Sequence, residues 1–89
     1  MSDPLEIVVQ PTPNPNALKF TLNRTVASQG RTFRAPAPAD APWAQGLLQL
    51  PGVTQVFALQ NFVSVSKSTE ADWTALSPQI QQVLAQAFA

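Results

Sequence analysis

The chain has 89 residues, with five basic and five acidic side chains, and 45% of its residues are hydrophobic. This size fits one small domain, residues 1–89, and the balanced charge argues against broad electrostatic binding to nucleic acid or an anionic membrane. The sequence contains no Cys and no His, which excludes thiolate ligation of zinc or of a metal cluster by this chain, and also disulfide bonds.

The N-terminus predicts no targeting segment. Residues 1–4 are acidic and lack the basic and apolar regions of a signal peptide. No apolar run in the sequence approaches the length that spans a membrane. We therefore expect a cytoplasmic protein.

The first third of the chain predicts two strands joined by a stiff loop. Residues 5–9 alternate in hydrophobicity, and residues 17–22 give the cleanest alternation of the sequence. Prolines at every second position restrict the backbone between them, and asparagines there can bond nearby backbone groups. The loop carries Pro11, Pro13, Pro15, Asn14 and Asn16.

The middle of the chain predicts a short edge strand at residues 32–34, a Pro/Ala connector at 35–41 and a helix. Asp40 is the expected cap of this helix, and Pro42 lies near its first turn. An apolar stripe at helical spacing begins at Trp43.

The last third predicts a hairpin and a helix. Residues 53–59 and 62–67 read as strands, with Gln60 and Asn61 as a two-residue turn. Asp72 is expected at the start of the final helix. Pro78 predicts either a kink in that helix or a second helix capped by Ser77. The order β-β-α-β-β-α predicts a two-layer α+β sandwich, with a mainly antiparallel sheet and two helices on one face.

Two groups of residues suggest recognition. The proline loop is either a corner that sets the register of two strands or a surface that presents Asn14 and Asn16 to a partner. Lys19, Arg31 and Arg34 form a small basic cluster if the edge strand lies beside the second strand. Solvated surface charges are the alternative interpretation.

Trp43 is expected either to pack in the core or to anchor a partner. The sequence does not predict an enzyme, because Ser64 and Ser66 have no His partner and no pair of acids stands out as a general acid and base.

The motifs together resemble the Nfu/NifU N-terminal domain family. The segment TPNPNALKF at residues 12–20 is similar to the opening signature of that domain. The resemblance continues through Phe33, APWA at 41–44, LPGV at 50–53, Val56, Phe57, NFVSVSK at 61–67, Asp72, Trp73, Leu76 and Pro78.

The resemblance implies the fold and a role in iron–sulfur cluster maturation. Family members carry this domain ahead of a second one, whose Cys-x-x-Cys pair holds the cluster. Because the sequence contains no Cys, we expect that second domain to be absent here, so cluster carriage is not carried over. Trp43 stands where family sequences tend to have an aliphatic residue.

We therefore expect a non-catalytic interaction or accessory domain, without a cofactor, that binds iron–sulfur assembly factors or client proteins. A small-molecule or phosphate-binding domain that uses the proline loop and nearby Lys and Arg residues is the alternative, and a self-associating chain is another. The expected partner-binding residues are Asn14, Asn16, Lys19, Arg31, Arg34 and Trp43.

Overall fold

A computed structural model describes residues 4–34 and 41–88 of the protein. The expectations for residues 1–3, for most of the Pro/Ala connector and for a cap at Asp40 concern residues outside this described part. The strands are β1 (Ile7–Pro11), β2 (Ala17–Leu22), β3 (Ala27–Phe33), β4 (Val53–Gln60) and β5 (Phe62–Lys67). The helices are α1 (Pro42–Leu48) and α2 (Trp73–Phe88).

The five strands form one sheet in the order β1-β2-β5-β4-β3, and every neighbouring pair is antiparallel. The α+β fold is therefore confirmed. The strand β3 begins earlier than the edge strand predicted at 32–34, so the element order is β-β-β-α-β-β-α. Its pairing with β4 shifts register between Ala27 and Arg31, and its outer residues are exposed. Because of these two properties, β3 lacks the alternation of apolar and polar residues from which a strand is predicted.

Both helices pack on the same face of the sheet. The buried side chains of the strands and of both helices belong to one continuous hydrophobic cluster. Alternation in β2 and β5 places every second side chain in this cluster. Its largest fully buried members are Phe20, Leu22, Leu47, Ile80, Leu84, Val56, Val63 and Val65.

The two helices begin differently. The cap residue of α1 is Ala41, which makes no side-chain capping bond, and Pro42 is in the first helical turn. At α2, the Asp72 carboxylate accepts a hydrogen bond from the Thr74 N–H at 3.0 Å, which satisfies one of the free donors of the helix start. Helix α2 runs through Pro78 without interruption, so a separate second helix beginning there is wrong.

The turn between β4 and β5 is confirmed. Leu59 pairs with Phe62, which leaves Gln60 and Asn61 as the two turn residues. Gln60 has a φ of 54°, as a tight hairpin turn requires. The turn also reaches the neighbouring segments, because Val26 N–H donates to Gln60 O at 2.6 Å and Leu22 N–H donates to Asn61 O at 2.7 Å.

Candidate functional site

The proline loop is closed by its own hydrogen bonds. Asn14 N–H donates to Thr12 Oγ1 at 3.2 Å, and Asn16 N–H donates to Asn14 Oδ1 at 2.9 Å. The backbone of Ala17 donates to Asn14 O at 3.0 Å. The side-chain oxygen of Asn14 is therefore engaged in shaping the loop, as the corner interpretation requires.

The same loop is held against the start of α2. Lys67 N–H donates to Asn16 O at 2.8 Å, and Lys67 Nζ donates to Asn16 Oδ1 at 3.1 Å. Trp73 Nε1 donates to Pro15 O at 3.1 Å, and Lys67 Nζ lies 5.7 Å from the centroid of the Trp73 ring. We call Pro15, Asn16, Lys67 and Trp73 the loop clamp.

Sequence reasoning did not connect Lys67 and Trp73 with the loop, because they follow it by more than 50 positions. Both residues lie within the motifs on which the family resemblance rests. That resemblance is the one feature of the sequence that marks them as important. The clamp connects the loop to β5 and to the start of α2.

A second surface lies on the face of the sheet opposite the helices. We call it the open face, and within residues 4–34 and 41–88 no helix covers it. Its aromatic side chains alternate with core residues on the same strands. The period of two in the sequence therefore indicates that they lie on the face opposite the core. The open face consists of Lys19, Thr21, Phe57, Leu59, Phe62 and Ser64.

The centre of the open face combines a cation with two aromatic rings. Lys19 Nζ lies 4.6 Å from the centroid of the Phe62 ring, and the Phe57 and Phe62 rings are 6.1 Å apart. Lys19, Phe57 and Phe62 are partly buried, and neither ring belongs to the helix-side core. A cation near a ring face gains electrostatic stabilisation, so the ammonium group is held at a defined position.

The predicted basic cluster does not form. The strand β3 pairs with β4 rather than with β2, and this places β3 three strand spacings from β2, roughly 14 Å. Arg34 Nε donates to Gln55 Oε1 at 2.9 Å. The guanidinium carbon of Arg31 lies 4.8 Å from the Phe33 ring centroid. Lys19 is therefore separated from both arginines.

Trp43 packs into an aromatic contact between the sheet and the helices. Its ring meets Phe33 edge-on, with centroids 5.3 Å apart, and Phe88 at 5.6 Å. Trp43 is partly buried and also lines an open groove between α1 and α2, with a volume of about 280 Å³. The groove is lined by Pro42, Trp43, Gly46, Val83, Gln86 and Ala87.

The described part of the chain contains no group of three His, Cys, Asp or Glu side chains placed to hold a metal ion. Neither α1 nor α2 has the length and apolar character that crossing a bilayer requires.

Comparison with known proteins links this geometry to a family. The family model described as "Scaffold protein Nfu/NifU N terminal" matches residues 7–89. The human "NFU1 iron-sulfur cluster scaffold homolog, mitochondrial" is 40% identical over 87 residues, which cover 93% of this chain and 34% of the human protein. "Conserved virulence factor C" of Staphylococcus aureus is 31% identical over 80 residues, covering 89% of this chain and 21% of that protein.

The crystal structure of protein SAV1430 from Staphylococcus aureus has the same fold. It superposes with a TM-score of 0.80 at 26% identity, over 89% of this chain and 98% of that one. The chain spans about a third or less of the length of the two curated relatives above. The match over residues 7–89 and the shared fold show that the chain belongs to the Nfu/NifU N-terminal scaffold family.

Proposed function

We propose that this chain is a non-catalytic protein-interaction domain that serves iron–sulfur cluster assembly or delivery without carrying a cluster itself. Family membership supports the link to cluster assembly, because the human relative is named an iron–sulfur cluster scaffold homolog. The absence of Cys and His from the sequence supports the second part, since thiolates are the usual ligands of such clusters.

The contact between Lys19 and Phe62 is the observation that carries the proposal. It holds a cation 4.6 Å from an aromatic ring centroid, on a sheet face that no described helix covers. Interfaces typically combine aromatic anchors with a few placed charges. The open face therefore suits a partner protein that presents a carboxylate beside apolar side chains.

The residues expected from the sequence contribute unequally to this surface. Lys19 lies at its centre, whereas the side-chain oxygens of Asn14 and Asn16 accept bonds within the loop and its clamp. Arg34 lies at the far edge of the sheet, and Trp43 lies on the helix side. We propose Lys19, Phe57 and Phe62 as the residues that contact the partner.

The phosphate-binding alternative loses its geometric support. It needed Lys19 close to Arg31 and Arg34, since one phosphate is bound by several convergent donors. Two strands of the sheet separate Lys19 from those arginines.

Affinity capture with the 89-residue chain as bait tests the proposal. We expect iron–sulfur assembly factors or client proteins to be recovered. Lys19→Glu should remove them, because it reverses the charge on the open face. Arg34→Glu is the matched control, because it makes the same charge reversal beside β4, away from Lys19, and should retain them.

Recovery of no cluster-related protein, together with normal activity of cluster enzymes in a deletion strain, would overturn the assembly link. Equal recovery with both variants would keep the assembly link and reject the open face as the contact surface. We also propose a cytoplasmic location, which cell fractionation checks.

A further inference from the structure

The strand β1 lies at one edge of the sheet, and no other strand of residues 4–34 and 41–88 pairs with the outer side of its backbone. Asn23 N–H donates to Glu6 O at 3.3 Å, so Glu6 turns its backbone carbonyl towards β2. Along an antiparallel strand, the backbone N–H and C=O groups of successive residues point alternately to one side and the other. The backbone groups of Val8 and Gln10 therefore also point towards β2. The N–H and C=O groups of Ile7 and Val9 therefore point away from the sheet.

Two apolar side chains of this edge strand are accessible. Val8 is 54% exposed and Val9 is 37% exposed, and they are the exposed large hydrophobic residues of the described chain. The five residues of β1 include no charged side chain. The pairing of β1 with β2 is regular over its whole length, so the free edge is straight enough to accept another strand.

The opposite edge of the sheet contrasts with β1 on each of these points. The strand β3 carries Ser28, Gln29 and Arg31 at exposed positions, and its pairing with β4 is broken by a register shift. Charges and irregular pairing protect sheet edges against further strand addition. In the described part of the chain, β1 is the edge strand without a charge or a register shift.

We propose that two copies of this chain pair through β1, antiparallel to each other, with Val8 of both copies on the two-fold axis. In this register Ile7 of one copy lies opposite Val9 of the other. Their outward N–H and C=O groups then form reciprocal hydrogen bonds on both sides of the axis. The occupant of the edge is therefore a second copy of the same strand.

The strand sequence favours this register over its neighbours. Centring on Val8 places Val8 beside Val8 and Glu6 beside Gln10. It also places Leu5 opposite Pro11, whose carbonyl accepts a bond from Leu5 although proline cannot donate one in return. Centring on Ile7 instead places Glu6 beside Val8, which sets a charge against an apolar side chain.

Balanced charge also suits self-pairing. The chain has five basic and five acidic residues, so two copies meet without net repulsion. The two-fold axis of an antiparallel pair is perpendicular to the sheet, so both copies keep their helices on one face. Their open faces join into one continuous surface across ten strands.

A single-cysteine variant tests the register directly, because the natural sequence contains no Cys. Residues at a non-hydrogen-bonded antiparallel position have Cα atoms about 4.5 Å apart, within the range of a disulfide. Val8→Cys should therefore cross-link in oxidised glutathione at least about ten times faster than Ser28→Cys on the opposite edge. Equal rates for the two variants would overturn the proposal.

Sedimentation equilibrium of the unmodified chain supplies the second measurement. We expect a reversible monomer–dimer equilibrium, which Val8→Lys weakens at least about tenfold because it places two ammonium groups across the axis. Ser28→Lys, with the same added charge on β3, should leave it unchanged. Circular dichroism checks that both variants remain folded.

A chain that stays monomeric up to about 1 mM would overturn the proposal. So would a dimer that Val8→Lys leaves intact, since its interface would then lie elsewhere. A monomer whose Ile7 and Val9 amides become protected only on adding an extended peptide would assign the edge to a different occupant. These outcomes do not depend on whether the chain serves cluster assembly.

Discussion

Trp73 and Pro15 are joined by a hydrogen bond of 3.1 Å between the indole N–H and the carbonyl oxygen, across 58 positions of sequence. This bond fastens the first residue of α2 to the loop between β1 and β2. The loop and the start of the helix therefore form one connected unit, although they are far apart in the sequence.

Trp73→Phe should loosen this unit without unfolding the protein. The variant keeps an aromatic ring and loses the indole donor, which should cost about 1 kcal/mol of unfolding free energy. Exchange of the Ala17 amide, which closes the loop onto Asn14 O, should become faster by NMR. Trp43→Phe is the matched control and should leave that exchange rate unchanged. Unaltered exchange in Trp73→Phe would show that the indole bond does not restrain the loop.

Asn16→Asp should strengthen the loop clamp. The amide oxygen of Asn16 accepts a bond from Lys67 Nζ at 3.1 Å, and a carboxylate there would form an ion pair worth at most about 1 kcal/mol. The lysine lowers the pKa of the new carboxyl group in the folded state. The gain is therefore present at neutral pH and is lost as the pH falls below about 4.

Urea denaturation at pH 7 and at pH 3 measures this effect. Asn14→Asp is the control, because Asn14 Oδ1 accepts from the Asn16 backbone and no lysine contact is found there. An Asn16→Asp gain that persists at pH 3 would contradict the ion pair.

Thr21→Val should stabilise the protein. Thr21 Oγ1 is inaccessible and has no hydrogen-bond partner among the described residues, and an unsatisfied buried hydroxyl is costly. Replacing it with a methyl group of similar shape should raise the unfolding free energy by about 1 kcal/mol. Thr54→Val should give no such gain, because Thr54 Oγ1 donates to Ser66 O at 3.2 Å. Equal effects in thermal denaturation would indicate β propensity alone as the cause.

Gly52→Ala should destabilise the fold strongly. Gly52 has a φ of 95°, and an added Cβ would lie 2.5 Å from the Cβ of Ala71. Backbone strain and overpacking together should cost roughly 2 to 4 kcal/mol. Combining Gly52→Ala with Ala71→Gly should recover the overpacking part and leave the strain. Strictly additive effects in a double-mutant cycle by urea denaturation would show that the two residues do not collide.

The sequence predicted those strands that have one covered face. In β2 and β5, core residues such as Phe20 and Val63 alternate with residues of the open face, which produces the period of two. The strand β3 has little covered surface and an irregular register, so its residues follow no period. Most of its length was therefore missed.

Contacts between distant segments were beyond local pattern reasoning. The choice of β4 rather than β2 as the partner of β3 separated Lys19 from Arg31 and Arg34, and no local feature encodes that choice. The loop clamp likewise depends on how α2 docks. Local rules did predict the cap at Asp72 and the turn at Gln60, because their chemistry is complete within a few residues.

The inner strands β5 and β4 come from the second half of the chain. This sets the order in which the sheet can be completed during synthesis. The strands β2 and β3 flank the pair of β5 and β4 and do not pair with each other. Before residues 53–67 have been made, only the pair of β1 and β2 has both its members. A nascent chain on the ribosome therefore waits for β4 and β5 before β2 and β3 can join one sheet. In that interval chaperones can meet the unpaired β3 and the side of β2 that later pairs with β5.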